Sequence, residues 1–417
     1  MEGKIILILG AGVGGIVVAN ELRHRLSHEH KVVLVEKNPE HAFAPSFLWL
    51  MTGDRKAENI TKPIRTLIRS GVELVQAEVK SIDIPNHRVT TTTRPLNFDY
   101  LIVALGAELA PELIPGLAES AFSFYTFEET KRLQQALSKI NAGTVALVVS
   151  ALPYKCPGAP HEAAMLVADY FRRRGLKDCV NVHLYTPEPQ PMPVAGPQLG
   201  EAVTQMLTSK GVCFHPLHKL QSVDSQNRIL SFDGKEPAPY DMLIAVPPHR
   251  GPRIVRDAGL TNPADGGAGW VPVDPSTLKT KYENVYAIGD ITAIGILGRW
   301  KSDVKMMLPK AGVFAHAQAE TVAERIADEI NGHTPKAEFC GDGYCMLEAG
   351  EGLAGFAFGD FFAEPSPRLE LRDIGRAWHL GKVLFEQWWL SPFGLRKSIL
   401  HSMLKIGARI LKVPIRV

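Results

Sequence analysis

Two short apolar runs near the start of the chain predict the first elements of the fold. Lys4 to Leu9 reads KIILIL and Lys31 to Glu36 reads KVVLVE, which is typical of strands buried on both faces. Between them, apolar residues from Ile16 to Leu26 indicate a helix. The pattern therefore predicts a strand, a helix and a second strand in that order.

A glycine-rich turn, GAGVGG, joins the first predicted strand to the helix. Gly10 permits a tight turn, Gly12 lets the backbone approach a pyrophosphate, and Gly15 allows close packing of the helix on the strand. Glu36 ends the second strand about 20 residues later, where a carboxylate accepts a hydrogen bond from a ribose 2′-hydroxyl. These residues predict a site for an adenine dinucleotide.

The same order of elements recurs further along the chain. Val145 to Val149 predicts a strand, His161 to Arg173 a helix, and Val180 to Tyr185 a second strand. The loop from Ser150 to Glu162 contains three prolines, which lack the N–H donors that a phosphate-binding loop needs. The sequence therefore predicts a second dinucleotide-type fold in which NAD(P)H binding is disfavoured.

Composition narrows the possible functions. A net charge of +2 over 417 residues gives no reason to expect a nucleic-acid partner. No run reaches the roughly 18 apolar residues that a membrane span needs, and the apolar segment from Ile5 to Ala19 is interpreted as strand and helix, so no signal peptide is expected. The cysteines are too few and too scattered for a disulfide framework, and no metal site is expected; they are Cys156, Cys179, Cys213, Cys340 and Cys345.

Two further segments resemble the FAD-binding flavoproteins of the disulfide-reductase-like superfamily. They are DYLIVALG, from Asp99 to Gly106, and NVYAIGD, from Asn284 to Asp290. The resemblance implies an α/β fold with two Rossmann-like dinucleotide-binding domains and a C-terminal domain ending in amphipathic helices. It divides the chain into residues 1–110 and 251–330 for the FAD domain, 111–250 for the inserted domain, and 331–417 for the C-terminal domain.

The same resemblance implies which residues contact FAD. A Pro-Lys-x-Gly segment at Leu308 to Gly312 is expected to open the helix that points at the isoalloxazine ring, with Lys310 adding positive charge there or instead facing solvent. The full set of expected cofactor contacts is Gly10, Gly12, Gly15, Glu36, Lys37, Pro45, Val79, Ala104, Gly106, Gly289, Asp290 and Lys310.

The proline-rich loop carries the most specific resemblance. KCPGAPHE, around Cys156, resembles the Cys-Pro-x-x-Pro-x-Glu pattern of sulfide:quinone oxidoreductases, and GDGYCMLEAGEG places Cys345 where that family has a second redox cysteine. Cys340 competes with Cys345 for this role. Glu162 is expected to move protons or to stabilise a helix start, with His161 as an alternative base. A third cysteine that many members carry upstream of Cys156 is absent, which leaves the subtype and the length of the sulfur product open.

A quinone site is expected near the end of the chain. WHLGKVLFEQWW, from Trp378 to Trp389, resembles the quinone segment of the same family. The resemblance implies quinone contacts from Lys382, Phe385 and Tyr344, while the alternative is a helix that packs its tryptophans into a core. Cys179 and Cys213 are expected to be small packing residues.

The last residues combine basic and apolar positions. Beyond Ser391 there is no acidic residue, and Ile399, Leu400, Met403, Ile406, Ile410 and Leu411 recur at helical spacing. The basic residues are Arg396, Lys397, Lys405, Arg409, Lys412 and Arg416. This pattern predicts an amphipathic helix on the membrane surface, with a helix that docks on a partner subunit, or on another copy of the chain, as the alternative.

Together these features predict a peripheral flavoprotein on the cytoplasmic side of the cell membrane that oxidises hydrogen sulfide through Cys156 and Cys345 and reduces quinone. Three alternatives remain open. They are a flavin subunit of sulfide dehydrogenase with a cytochrome acceptor, a type II NADH:quinone oxidoreductase, and a non-catalytic sulfur carrier or redox sensor that kept the fold.

Overall fold

The computed structural model describes residues 3–262, 267–301 and 303–415. Arg416, which belongs to the predicted basic tail, lies outside the described residues. The described chain forms two parallel sheets with helices against them, followed by an antiparallel sheet and two helices. This architecture confirms the predicted fold class, whereas the domain boundaries given above stay predictions.

Helices and strands follow one another in four stretches of the described chain. The first stretch contains β1 (Ile5–Leu9), α1 (Val13–Arg25), β2 (Lys31–Glu36), β3 (Glu40–Ala42), α2 (Phe47–Met51), β4 (Thr61–Pro63), α3 (Ile64–Leu67), β5 (Val72–Gln76), β6 (Val79–Asp83), β7 (Arg88–Thr91), β8 (Pro95–Asn97), β9 (Tyr100–Val103) and β10 (Glu108–Leu109). The second contains α4 (Leu117–Ser120), α5 (Phe127–Leu137), β11 (Gly143–Val149), α6 (Ala159–Arg173), β12 (Val180–Tyr185), α7 (Pro197–Ser209), β13 (Val212–His215), β14 (Leu220–Asp224), β15 (Ile229–Phe232), β16 (Ala238–Pro239), β17 (Met242–Val246) and β18 (His249–Arg250).

The remaining elements return to the first sheet and then form the C-terminal part. The third stretch contains α8 (Arg253–Asp257), β19 (Val271–Pro272), β20 (Val285–Ala287), β21 (Thr292–Ala293), β22 (Gly295–Ile296), β23 (Met306–Met307) and α9 (Gly312–Ile330). The last contains β24 (Asp342–Gly350), β25 (Leu353–Asp360), β26 (Arg368–Gly375), α10 (Arg376–Trp389) and α11 (Leu395–Leu411).

The first sheet has the strand order β20-β9-β1-β2-β5, and its neighbouring strands are parallel. The side chains of β1 from Ile6 to Leu9 are fully buried, because helices α1 and α9 pack against each other over one face of the sheet and a second apolar cluster covers the other. A continuous apolar run is what such a strand requires. Because β20 joins this sheet long after β9, the intervening chain is an insertion.

The inserted chain forms the second parallel sheet, with the order β13-β12-β11-β17. Helix α6 packs against this sheet on one side and against β24 of the C-terminal part on the other. The second sheet therefore positions the loop between β11 and α6 at the boundary of all three parts.

The C-terminal part is an antiparallel sheet, β24-β25-β26, with α10 packed on it and α11 packed on α10. Leu400, Leu404 and Ala408 of α11 point inward. Apolar side chains on another face of α11 are exposed; they are Leu395, Ile399, Met403, Ile406 and Ile410. The helix is amphipathic as predicted, but Leu400 does not belong to its exposed apolar face.

Lys397 departs from its predicted place on the basic side of α11. Its Nζ donates to the carbonyl oxygens of Trp388 and Trp389, each at 3.3 Å, and of Ser391 at 3.1 Å. These carbonyls lie at the end of α10, where backbone acceptors have no partner within the helix. Burial lowers the pKa of Lys397 to about 8. Lys397 therefore joins the two helices, and the basic side of α11 consists of other residues.

Among the described residues, none of the helices combines the length and the apolar character that crossing a lipid bilayer would require.

We predict that Gly15→Ala strongly destabilises the fold. A β-carbon on Gly15 would lie 1.8 Å from the carbonyl oxygen of Gly10. Because this oxygen belongs to the backbone, it cannot be moved aside by a change of side-chain rotamer. We expect a loss of about 1–3 kcal/mol or more in the free energy of unfolding, measured by urea denaturation.

Gly407→Ala in α11 is the matched control. No atom lies within 4 Å of its added β-carbon, and alanine favours a helix by up to about 1 kcal/mol, so stability should rise or stay level. Equal unfolding midpoints for Gly15→Ala and the parent chain would contradict the packing described here.

Candidate active site

A cavity of about 1620 Å³ lies where the first sheet, the second sheet and the C-terminal part meet. Ligand pockets in proteins commonly measure about 300–1,000 Å³, so this space accommodates more than one small molecule. The residues expected to bind cofactor, sulfide or quinone that line it are Gly10, Gly12, Glu36, Lys37, Pro45, Val79, Ala104, Gly106, Cys156, Glu162, Gly289, Asp290, Lys310, Tyr344, Cys345, Lys382 and Phe385. Gly15 lies outside the lining, in the contact between α1 and the turn before it.

One end of the cavity is shaped like a dinucleotide cradle. A methyl group added to Gly12 would meet nothing within 4 Å, so this backbone is open to a ligand. Glu36 is held at the end of β2, where its Oε2 accepts a hydrogen bond from the Ala11 backbone N–H at 3.0 Å. Bare backbone at a helix start and a fixed carboxylate suit a pyrophosphate and a ribose, respectively.

The segment after β20 contributes a second edge of the cavity. Gly289 adopts a positive φ of 75°, and its backbone N–H donates to Gln318 Oε1 of α9 at 2.7 Å. Asp290 follows directly and lines the cavity. Helix α9 begins at Gly312, and the partial positive charge of its N-terminus stabilises an anionic group placed there.

Lys310 is buried and precedes α9, so it does not face solvent. Its Nζ donates to the carbonyl oxygens of Asp290 at 2.8 Å and Thr292 at 2.9 Å, and it lies 3.7 Å from the centre of the Trp270 ring. Burial lowers the pKa of Lys310 to about 8, with Asp290 opposing this effect. The ammonium group therefore fixes the segment that carries Asp290.

Cys156 is held in a strained backbone conformation. Its φ is 55°, in the left-handed region that a residue with a side chain rarely adopts. Its N–H donates to the Lys310 carbonyl oxygen at 2.6 Å, and its own carbonyl accepts from the Ala159 N–H at 2.9 Å. These hydrogen bonds pin the loop of the inserted sheet against the segment that leads into α9.

Cys345 lies on β24, next to the loop of Cys156. A methyl group on Gly158 would lie only 3.3 Å from Cys345 Sγ. Both cysteines line the cavity and both are free thiols. Cys340 is exposed, donates to the Glu338 carbonyl at 3.5 Å, and is not part of the lining. The structure therefore brings Cys345, and not Cys340, to Cys156.

The environment raises the pKa of both thiols. The Cys156 side chain is exposed to the open cavity, but the surrounding protein still desolvates it and raises its pKa to about 12, with the Glu162 carboxylate adding to the effect and Lys382 opposing it. Burial also raises the pKa of Cys345 well above its usual range, again with help from Glu162. Cys179 and Cys213 are exposed, so the expectation that they are packing residues is wrong.

Glu162 and Lys382 form a buried ion pair beside the two cysteines. Lys382 Nζ lies 2.6 Å from Glu162 Oε2, which also accepts from the Glu348 backbone N–H at 2.9 Å. Burial alone lowers the pKa of Lys382, but the carboxylates of Glu162 and Glu348 outweigh it, so the pKa lies above the ordinary value. The pair joins α6 of the inserted part to α10 of the C-terminal part.

Lys382 lies beside an aromatic ring at the start of an aromatic surface. Its Nζ lies 5.3 Å from the centre of the Trp49 ring. One turn along α10, the half-buried ring of Phe385 lies 6.2 Å from Phe43 and 5.4 Å from Trp388. Both tryptophans at the end of α10 are buried, as the core-packing alternative expected, yet Phe385 still lines the cavity. A flat apolar molecule would therefore meet aromatic surface and a cation here.

His161 is not placed to act as a base in the cavity. It is fully buried and outside the lining, its Nδ1 contacts the Pro157 carbonyl at 3.1 Å, and its Nε2 has no partner among the described residues. Burial lowers the pKa of His161 to about 4, so the ring is neutral. Within the described chain, no three histidine, cysteine or acidic residues are grouped as a metal site.

Sequence reasoning missed a buried carboxyl group on the Cys156 side of the cavity. Glu188 Oε2 accepts from Tyr154 Oη at 2.8 Å and from Thr186 Oγ1 at 3.1 Å. Burial raises the pKa of Glu188 to about 7, although these two hydrogen bonds act to lower it. Glu188 lies three residues beyond the end of β12, the second strand of a dinucleotide-type fold, whereas Glu36 is the last residue of β2. An acidic residue shortly after such a strand is a signal that could have found it.

A second buried carboxyl group was also missed. Glu348 Oε2 lies 2.8 Å from His379 Nδ1, behind the ion pair of Glu162 and Lys382. His379 is three residues before Lys382 in the segment already singled out, but its partner lies on another element. No local sequence signal connects the two.

Known proteins share this architecture over most of the chain. The sulfide-quinone reductase of Aquifex aeolicus is 28% identical over 402 residues, which cover 93% of this chain and 90% of that protein. The mitochondrial sulfide:quinone oxidoreductase of Mus musculus is 29% identical over 301 residues, covering 69% of this chain and 65% of the mouse protein. The X-ray structure of the Aquifex aeolicus sulfide:quinone oxidoreductase superposes with a TM-score of 0.84 at 25% identity, over 99% of this chain and 96% of that one.

The match to a family model agrees with these relatives. The model for pyridine nucleotide-disulphide oxidoreductases covers residues 4–319, which include both parallel sheets and the turn from Gly10 to Gly15. The open cradle at Gly12 and the fixed Glu36 carboxylate fit the dinucleotide part of FAD, the cofactor that this match implies. The chain belongs to the pyridine nucleotide-disulphide oxidoreductase family and is an FAD-dependent oxidoreductase.

Proposed function

We propose that this protein is a membrane-associated enzyme that oxidises sulfide to sulfane sulfur or polysulfide and reduces quinone. One observation carries the proposal: Cys156 and Cys345, far apart in sequence, line one cavity within reach of the FAD cradle. The relatives named sulfide-quinone reductase and sulfide:quinone oxidoreductase support it.

The FAD site is assigned from the cavity lining. When bound, FAD supplies a carrier that takes two electrons from sulfur and passes them to quinone. Gly12 and Glu36 would hold the pyrophosphate and the adenosine ribose, Asp290 the ribityl chain, and the start of α9 would face the isoalloxazine ring. The other proposed contacts are Gly10, Lys37, Pro45, Val79, Ala104, Gly106, Gly289 and Lys310.

The proposed sulfur chemistry uses Cys156 and Cys345 as an exchanging pair. In the oxidised pair, hydrosulfide attacks the disulfide sulfur of Cys156, a new sulfur–sulfur bond forms there, and the bond to Cys345 breaks. Cys156 then carries a persulfide and Cys345 a thiolate, which Lys382 stabilises by its charge. A second hydrosulfide attacks the outer sulfur of the persulfide and leaves with it as HSS⁻, so that Cys156 is left as a thiol. The Cys156 thiol and the Cys345 thiolate then re-form their disulfide bond, which releases one proton and the two electrons that FAD, when bound, would accept.

The proposed quinone contacts are Lys382, Phe385 and Tyr344. Lys382 offers a cation that is held in place by Glu162, and Phe385 offers a ring on which a quinone can stack. Tyr344 precedes Cys345 on β24 and lines the same cavity. The sulfur site and the quinone site would thus share the Glu162–Lys382 pair.

Membrane association is proposed through the exposed apolar face of α11. Leu395, Ile399 and Ile410 are exposed by 79%, 51% and 73%, although neighbouring positions of the helix pack inward. Lys405, Arg409 and Lys412 are exposed on the same helix and suit anionic head groups. A quinone is a lipid-dissolved substrate, so contact with the bilayer brings the enzyme to it. That this is the cytoplasmic face of the membrane stays a prediction from the sequence.

The first prediction of this function concerns the cysteines. Cys156→Ala and Cys345→Ala should each lower sulfide-dependent quinone reduction by at least about a thousandfold, because the exchange needs both sulfur atoms. Quinone absorbance measures turnover, and flavin absorbance checks that FAD stays bound.

Cys340→Ala is the matched control for these variants and should keep normal turnover. NADH should not bleach the flavin, because prolines replace the N–H donors of a phosphate loop. Normal turnover of either cavity variant would refute the proposed chemistry, and fast bleaching by NADH would establish an NADH:quinone oxidoreductase instead.

The second prediction concerns α11. The double variant Ile399→Asp, Ile410→Asp should bind anionic phosphatidylglycerol vesicles at least about tenfold more weakly, because charge replaces apolar surface in the lipid interface. Cosedimentation with vesicles measures this.

Leu113→Asp, Leu217→Asp is the control, since these leucines are 57% and 55% exposed elsewhere on the molecule. If both double variants lose vesicle binding equally, or neither does, α11 is not the membrane contact.

A further inference from the structure

We propose that Glu348 and His379 form a proton inlet from solvent to the Glu162–Lys382 ion pair. The inference rests on the proposed function, because a quinone that is reduced next to Lys382 must receive protons there. The sulfur exchange itself uses neither Glu348 nor His379.

His379, Glu348, Glu162 and Lys382 lie in sequence from the surface to the cavity, with a side-chain contact in each pair and a backbone contact between the pairs. His379 Nδ1 lies 2.8 Å from Glu348 Oε2, the Glu348 backbone N–H lies 2.9 Å from Glu162 Oε2, and that oxygen lies 2.6 Å from Lys382 Nζ. The His379 side chain is 26% exposed, whereas that of Glu348 is 1% exposed. Glu162 and Lys382 line the cavity, but Glu348 and His379 do not. The outer pair therefore lies between solvent and the inner pair.

Glu348 has an unused hydrogen-bonding position. Its Oε1 is buried and has no hydrogen-bond partner in the part of the chain that the structure describes. An ionised carboxylate oxygen left without a partner in the interior is costly, and a proton on the group reduces that cost. Burial raises the pKa of Glu348, although Lys382 and His379 both act to lower it. Such a carboxyl group can take up and release protons closer to neutral pH than an exposed one.

The Trp49 ring covers one side of the array. It meets the His379 ring in a T-shaped contact, with the ring centres 5.8 Å apart, and also lies beside Lys382. The charged or titratable groups around Glu348 are Glu162 of α6, Lys382 and His379 of α10, Cys345 of β24, and the Arg55–Glu386 ion pair on Trp49.

The proton balance of the reaction calls for such an inlet. Oxidation of hydrosulfide to sulfane sulfur releases one proton and two electrons, whereas reduction of a quinone to a quinol takes up two protons and two electrons. One proton per turnover must therefore come from solvent. A proton that leaves Lys382 Nζ for a quinone oxygen is replaced from the Glu348 carboxyl group through a bridging water molecule, because the direct contact between Glu348 and the pair is a backbone N–H. His379, in contact with the Glu348 carboxyl group, then recharges it.

The test separates the two halves of the reaction in the FAD-loaded full chain. In anaerobic stopped-flow experiments, sulfide first reduces the flavin, and a short-chain quinone analogue then reoxidises it. The variants are His379→Ala and Glu348→Gln, and Gln387→Ala, an exposed position on the same helix, is the control.

We expect the rate of flavin reduction by sulfide to stay within about twofold of the parent in all variants, because this step needs no proton from Glu348 or His379. The rate at which the quinone analogue reoxidises the flavin should fall by about 10- to 100-fold in His379→Ala and Glu348→Gln. This loss is no larger than the usual contribution of a general acid. In the parent, reoxidation should slow as pH rises and Glu348 loses its proton, and this dependence should flatten in Glu348→Gln.

Chemical rescue distinguishes proton supply from a structural role. Added imidazole should restore reoxidation in His379→Ala but not in Glu348→Gln, while the KM for the quinone analogue stays unchanged. Parent-like reoxidation in His379→Ala, or slow reoxidation that imidazole does not relieve, would overturn the inlet. Failure of the parent enzyme to reduce quinone with sulfide would overturn the proposed function instead, and it would be seen before any variant is measured.

Discussion

The buried ion pair between Glu162 and Lys382 connects the inserted sheet to the C-terminal part. It places the start of α6, and with it the Cys156 loop, opposite β24 and Cys345. Removing one partner of a buried pair leaves an uncompensated charge and commonly costs about 3–5 kcal/mol. The position of both cysteines and of the aromatic surface around Phe385 therefore depends on this contact.

The same pair shapes the electrostatics of the sulfur atoms. Desolvation and the Glu162 carboxylate raise the pKa of both thiols and so favour their neutral form, while Lys382 is the cation that favours a thiolate. A neutral resting pair is a weak nucleophile, because the thiolate is the reactive species. In the proposed reaction the attacking sulfur comes from substrate, so a low pKa at either cysteine is not needed.

The inserted sheet shows how a dinucleotide-type fold can serve another purpose. Its first loop carries prolines and the strained Cys156, which is tied to Lys310 by a backbone hydrogen bond. Glu188, three residues beyond the end of β12, is buried with Tyr154 and Thr186 and lines the cavity from the sulfur side. The region that would bind phosphates in a nucleotide site is therefore occupied by a cysteine loop and a buried polar group.

The sequence by itself determined the elements that depend on local pattern. The apolar runs of β1 and β2, the turn at Gly10, and the repeated strand and helix order around Cys156 were predicted because strands, tight turns and helix starts depend on neighbouring residues. Resemblance to known motifs added the choice of Cys156 and Cys345. Only the tertiary structure decided that Lys397 caps α10, that Leu400 faces inward, and that Glu348 meets His379. These outcomes depend on contacts between elements distant in the chain, and no local periodicity encodes which face of a helix meets which neighbour.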